Sequence, residues 1–152
     1  MRRKDKEVAE PEIVQYILEQ APAIRIAMCD EHMPYIVAMN FGWEPGRIYL
    51  HSAMEGRKIS ILERNSRVAF QTDLNTEIIA GESPCNWGAK YLSLIGSGRA
   101  CFIETPEEKK HALDLIMSKY SGAGDFAYPS STLDKTCVIR IDIAEMTGKK
   151  SG

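Results

Sequence analysis

The stretch Ala38–Lys58, AMNFGWEPGRIYLHSAMEGRK, decides how the rest of the chain is read. It reads as the end of one strand, a turn at Glu44-Pro45-Gly46, a second strand over 47–52 and the first turn of a helix. Alternation along that second strand puts Ile48 and Leu50 on one face, with Tyr49 and His51 on the other. The junction that follows sets Ser52, Gly56, Arg57 and Lys58 where the helix begins. Backbone N–H groups at a helix start lack intrahelical partners and carry the positive end of the dipole, so two cations there make a seat for a phosphate. On spacing alone, an ordinary helix cap with two solvated cations fits equally well.

Outward from this junction the chain alternates between strand and helix signals. Before it, Pro11 suits a first helical turn, and Ile13, Val14, Ile17 and Leu18 form a stripe that should end by Gln20, ahead of Pro22. Residues 23–30 alternate as a half-buried strand. PYIVAMNF (34–41) is apolar enough to predict a strand buried on both faces and hairpinned to 47–52.

After it, Ser52 and Glu55 have capping-box spacing, which predicts a helix over 54–64 that buries Ile59 and Leu62. Strands follow at 67–73, 91–104 and 137–148, with a loop carrying an exposed Trp87 between the first two. Gly96 and Gly98 mark a bend or bulge in the long strand. Thr105-Pro106-Glu107-Glu108 is the clearest helix start, with Ala112, Leu113, Ile116 and Tyr120 as its buried face. Six strands with few helices predict a mainly β chain, a closed antiparallel barrel rather than a doubly wound sheet. Residues 1–9 read as a loose lead-in and 10–150 as one domain.

Composition narrows the functional classes. With 152 residues the chain can bury a substantial core. A net charge of -2 and the lack of a basic, aromatic-interleaved strand argue against nucleic acid, and no apolar run is long enough for a membrane helix. No secretory signal is expected at the N-terminus. Cys29, Cys85, Cys101 and Cys137 form no CxxC pair and read as reduced thiols of a cytoplasmic protein, three of them packing as small hydrophobes. His32, His51 and His111 show no metal-ligand spacing, so no metal site is expected. Neither a dinucleotide fingerprint nor a P-loop occurs. Nothing marks Cys29 or Cys85 as a nucleophile beside His51. Trp87 and Tyr91 suit stacking on a planar ligand as well as packing in a core.

The run PYIVAMNFGWEPGRIYLHSAMEGRKISILERNSRVAF closely resembles the pyridoxamine 5'-phosphate oxidase-like split barrels. Within them it is most similar to the nitroimidazole-resistance (Nim-type) branch of flavin-binding proteins, a likeness that NWGAKYLSLIGSGRA and IRIDIAEMTGKK extend over nearly the whole chain. The resemblance implies a six-stranded split barrel, a homodimer, and FMN at the subunit interface. It implies that the backbone of Val37, Ala38, Met39 and Asn40 runs along the flavin ring, and that His51, Ser52 and Ala53 line the ring and ribityl side. Gly56, Arg57 and Lys58 would hold the phosphate, and Trp87, Tyr91 and Ser93 would close the site.

The implied activity is an oxidoreductase that passes electrons from a nicotinamide nucleotide or another donor to a small acceptor such as a nitro-aromatic or quinone. His51 would be its catalytic residue. A carrier or sensor that binds flavin or haem without turnover is the alternative. Val37 stands where true pyridoxamine phosphate oxidases carry an arginine, and their arginine-rich C-terminus is absent, which argues against vitamin B6 oxidation.

Overall fold

The structure, a computed structural model, describes residues 4–8 and 10–152. Helix α1 (Pro11–Gln20) opens on proline and lays Ile17 and Leu18 into the core. Strands β2 (Ile24–Asp30), β3 (Met33–Met39), β4 (Phe41–Glu44) and β5 (Arg47–Ala53) follow the short β1 (Glu7–Val8). Next come α2 (Arg57–Arg64), β6 (Arg67–Ile79), β7 (Gly88–Ile103), α3 (Pro106–Ser121), the single turn α4 (Ser130–Leu133) and β8 (Thr136–Ser151). Among the described residues no helix is long and apolar enough to cross a membrane.

All strand pairs are antiparallel, in the order β3-β2-β6-β7-β8-β5-β4, with β1 added on β8. This mainly β, antiparallel architecture agrees with the split barrel read from the sequence, but the described residues form eight strands rather than six. One extra strand is β1, whose Glu7 and Val8 pair with Lys149 and Gly148. The anticipated loose lead-in over 1–9 therefore includes a paired segment, while its residues 1–3 and 9 lie outside the described ones.

The other extra strand comes from a division at Asn40. The sequence predicts that 34–41 pairs with 47–52 as one hairpin. Instead β3 pairs with β2 (Ile26↔Val37, Ile24↔Met39), and only β4 pairs with β5 (Phe41↔Leu50, Glu44↔Arg47). Two margins of the sheet are thus joined through one run of backbone. The expected two-faced burial of this segment fails for the same reason. As a marginal strand, β3 leaves Met33 and Ile36 each 62% exposed, whereas Phe41, inside the closure, is fully buried.

The main core fills the barrel with Ile24, Ile26, Phe41, Leu50, Phe70 and Ile139. A smaller cluster lies outside it, where α3 covers Tyr49, Ile103 and Val138 with Ala112, Leu113 and Ile116. Thr105 caps α3 as its sequence predicts, the hydroxyl accepting from the Glu108 N–H at 3.4 Å and donating to its carboxylate at 2.9 Å. Tyr120, expected to be buried, is 42% exposed at its ring, but its hydroxyl accepts from the Phe41 N–H and donates to the Pro22 carbonyl. The four cysteines are unpaired; Cys29 and Cys85 are exposed and only Cys137 is buried.

Candidate functional site

The division at Asn40 creates the site. Carrying the β4–β5 register back past Phe41↔Leu50 would set Asn40 opposite His51, Met39 opposite Ser52 and Ala38 opposite Ala53. These partners do not form. β3 has gone to β2, and His51, Ser52 and Ala53 pair on their other side with Val138, Cys137 and Thr136 of β8. Among the described residues, Val37–Asn40 and His51–Ala53 therefore each present one strand edge with no strand against it. Unpaired N–H and C=O groups on a strand edge are strong hydrogen-bonding groups that seek a partner. The division of the two edges at Asn40 is the candidate slot, and Ala38, Asn40, His51 and Ala53 are exposed along those edges.

The Ser52 hydroxyl, on the β5 edge, is buried and without a hydrogen-bond partner among the described residues. Its expected capping partnership with Glu55 does not occur. The helix starts later, at Arg57, because Gly56 adopts φ 129, which lies in the region that favours glycine, and takes the N-cap position itself. No side chain caps α2, and a Cβ built on Gly56 would meet nothing within 4 Å, so the helix start is bare. Buried hydroxyls are normally satisfied, so an orphaned one beside a bare helix start marks a place for an acceptor-rich ligand.

The two cations are held differently. Arg57 is oriented by the Asp30 carboxylate at 3.5 Å and lies over the Tyr35 ring, its guanidinium carbon 4.8 Å from the centroid. Asp30 also accepts from Arg64 at 2.5 Å, so one carboxylate ties both ends of α2 to the end of β2. Lys58 is half-buried and has no ion pair among the described residues. Burial pushes the Cys137 thiol up, and the Lys109 and Lys58 ammonium groups oppose that push. Asp30 and Tyr35 were missed in the sequence because their link to Arg57 crosses more than 20 residues and carries no local spacing signal.

His51 is exposed, with no side-chain hydrogen bond among the described residues, whereas Tyr49 on the same face is buried beneath α3. The helix ends its cover between them. Val37, Ala38, Met39, Asn40, His51, Ser52, Ala53, Gly56, Arg57 and Lys58 are thus gathered around one slot. Trp87, Tyr91 and Ser93 are not. Trp87 is 56% exposed in the β6–β7 connection, Tyr91 pairs with Ser151, and Ser93 pairs with Asp73 and Lys149. The run from Tyr91 to Ile103, whose partner Val138 neighbours His51, covers about 40 Å at strand rise. The register therefore sets those three residues toward the opposite end of β7 from the slot.

Residues 10–150 match the family model described as pyridoxamine 5'-phosphate oxidase. No curated protein matches the sequence. Among solved structures, a candidate 5-nitroimidazole antibiotic resistance protein from Bacteroides thetaiotaomicron is 35% identical; the match covers 94% of this chain and 85% of that one, with a TM-score of 0.85. The flavocytochrome Anf3 from Azotobacter vinelandii is 21% identical over 100% of this chain and 72% of that one, with a TM-score of 0.87. The FAD and heme binding protein from Mycobacterium smegmatis is 16% identical over 96% and 73%, also at 0.87. At those identities the last two establish a shared fold.

Proposed function

Because the chain belongs to the pyridoxamine 5'-phosphate oxidase family, we propose that it is a cytoplasmic, homodimeric, FMN-dependent oxidoreductase. The observation that carries this reading is the pair of unpaired strand edges at Val37–Asn40 and His51–Ala53, ending on the orphaned Ser52 hydroxyl and the bare start of α2. A flavin mononucleotide needs a flat apolar floor, backbone hydrogen bonds at its polar ring edge and a cationic anchor for a terminal phosphate dianion. The slot offers these in that order. A single anchor with two cations suits a phosphomonoester, which favours FMN over the FAD in the names of structural relatives.

Bound FMN would supply the redox step, accepting electrons from a nicotinamide nucleotide or similar donor and delivering them to a nitro-aromatic or quinone. The protein's part is positional. Arg57, held by Asp30 and Tyr35, and Lys58 bind the phosphate. The β3 backbone orients the ring. The exposed His51 imidazole offers a ring N–H to an acceptor oxygen above it. The partner protomer completes the slot, with Trp87 and Ser93 reaching across from its β6–β7 hairpin. With Val37 in the floor strand in place of an arginine, pyridoxamine phosphate is not the substrate.

The test is an absorbance spectrum of purified protein, followed by identification of the released cofactor and assay of NADH- or NADPH-driven reduction of a nitro-aromatic and a quinone. Two broad flavin bands, released FMN and turnover are expected. A colourless protein that takes up no flavin would sink the reading. Bound flavin or a Soret band without turnover would favour a carrier or sensor. His51→Ala should keep FMN while losing most acceptor reduction, roughly the hundredfold expected for a positioned proton donor. Unchanged turnover would return His51 to a bystander.

A further inference from the structure

We propose that the cavity between the end of α1 and the last turns of α3 is a covalent site, where the Lys119 amine forms a Schiff base with a small uncharged aldehyde. The cavity encloses about 350 Å³ and is lined by Glu19 and Gln20 of α1, Trp43 of β4, and Leu115, Ser118 and Lys119 of α3. That volume is at the small end of ligand pockets and has room for a single ring. None of these residues belongs to the slot, to the connection that carries Trp87, or to the start of β7. Trp43 pairs with Ile48, at the end of the β4–β5 hairpin away from His51. The site is thus independent of the flavin slot.

Three observations single out this amine. It is held in place: Lys119 is half-buried and donates to the Leu18 carbonyl at 2.5 Å and the Glu19 carbonyl at 2.8 Å. An ammonium has three N–H donors and a neutral amine keeps two, so losing one proton costs neither bond. It is also readily made neutral, because burial pushes it down to about 8 against the opposing Glu19 carboxylate. The other groups packed beside it are the Phe41 and Tyr120 rings, at 4.3 and 5.6 Å, and the Tyr120 hydroxyl is committed to the Phe41 N–H and the Pro22 carbonyl. A desolvated lysine is the kind of amine that attacks carbonyl compounds at neutral pH.

The third observation is the cavity's charge. Trp43 and Leu115 give it apolar wall, Glu19 is its one carboxylate, and no second cation lines it. An anionic electrophile would meet Glu19 uncompensated, whereas an uncharged aldehyde would pack on the indole. In the reaction the amine lone pair attacks the aldehyde carbon and forms the C–N bond. The aldehyde oxygen then leaves as water with both amine hydrogens, and the C=N bond forms; nothing is oxidised or reduced. The imine nitrogen carries at most one N–H, so at least one of the two α1 carbonyls loses its bond.

The experiment treats the purified full chain with limiting benzaldehyde, traps the imine with cyanoborohydride and locates the adduct by peptide mass spectrometry. At pH 7.5 Lys119 should be modified roughly tenfold faster than the exposed Lys135 and Lys150, the larger neutral fraction outweighing the lower basicity of the amine. The ratio of Lys119 to Lys135 adduct should fall as pH rises from 8 to 10, because exposed amines then lose their protons too. With glyoxylate, an anionic aldehyde, the preference for Lys119 should shrink severalfold. Modification of Lys119 no faster than Lys135 would overturn the proposal. A ratio unchanged with pH would overturn it as well, by showing that the ring faces keep the proton on the amine. Equal selectivity with glyoxylate would overturn the uncharged class of ligand.

Discussion

At the residue scale, the proposed phosphate seat divides its work between two neighbours. Arg57 already spends its guanidinium on Asp30 and Tyr35, whereas Lys58 has no ion pair among the described residues. A charge-assisted hydrogen bond contributes about 1.5–3 kcal/mol. Lys58→Ala should therefore weaken FMN binding roughly tenfold to a hundredfold, followed by quenching of flavin fluorescence. Arg57→Ala should cost less affinity but loosen α2 from β2. An equal FMN affinity in Lys58→Ala would place the phosphate elsewhere.

The residue scale also shows where sequence reasoning reaches and where it stops. Thr105 and Pro106 announced α3 because a cap is a local bond between residues three apart. Ser52 and Glu55 had the same spacing and formed no cap, because Ser52 is committed to pairing with Cys137, about 85 residues away. The candidate residues from Val37 to Lys58 were legible through their chain proximity. The absence of Trp87, Tyr91 and Ser93 from the slot was not, since strand alternation fixes a side chain's face but not its height along the barrel.

At the element scale, α3 governs how closely the β4–β5 hairpin can be covered. A Cβ on Gly42 would lie 2.7 Å from the Ile116 backbone nitrogen and 2.8 Å from the Leu115 carbonyl carbon, so only glycine admits this approach. Gly42→Ala should destabilise by about 1–3 kcal/mol, measured by urea unfolding, because helix backbone rather than a side-chain tip would have to move. One turn further along α3, Lys119 donates to the Leu18 and Glu19 carbonyls near the end of α1, and its amine lies 4.3 Å from the Phe41 ring centroid.

Burial pushes this ammonium down to about 8. A cation whose folded value is depressed loses its proton first in the native state, so the unfolded chain binds more protons between about pH 8 and the ordinary lysine value. Stability contributed at Lys119 should then rise with pH through that window. Tyr128, pushed up to about 12 by burial and then by Asp114, acts in the opposite direction above the ordinary tyrosine value near 10. Relative to Lys119→Met, the melting temperature of the wild type should climb from pH 8 toward 10. A flat difference across that range would show that the carbonyls and ring faces fully offset the burial.

At the scale of the whole molecule, one sheet face awaits cover. Cross-strand rows Ile36–Ala27–Ala69–Ser97 and Ala38–Arg25–Gln71–Ile95 lie outward, with Ile36 at 62% and Ile95 at 53% exposure around a polar centre where Arg25 donates to Gln71 and Asp73. Exposed apolar residues set among polar ones suit an association surface, and a stable dimer needs about 800 Å² from each partner. Ile36→Lys with Ile95→Lys should give a monomer by light scattering and lower FMN affinity together with it. A monomer that binds FMN as tightly as the wild type would show the slot to be complete in one chain. The mainly β class was legible because alternation is local, whereas the count of eight required knowing that 33–44 serves two neighbours and that Glu7–Val8 finds β8.

That shared strand also sets an order of assembly. β2–β3 and β4–β5 are neighbours in the chain and can pair as soon as they are made. The second edge of β5, however, belongs to β8, the final strand, so 47–53 waits for 136–142. Closing so long a loop costs entropy before any contact rewards it. During synthesis the chain would therefore carry its early hairpins unjoined, with His51, Ser52 and Ala53 exposed on both edges. The slot's geometry arrives only with β8, so the proposed flavin would load only after 136–142 have been made and paired.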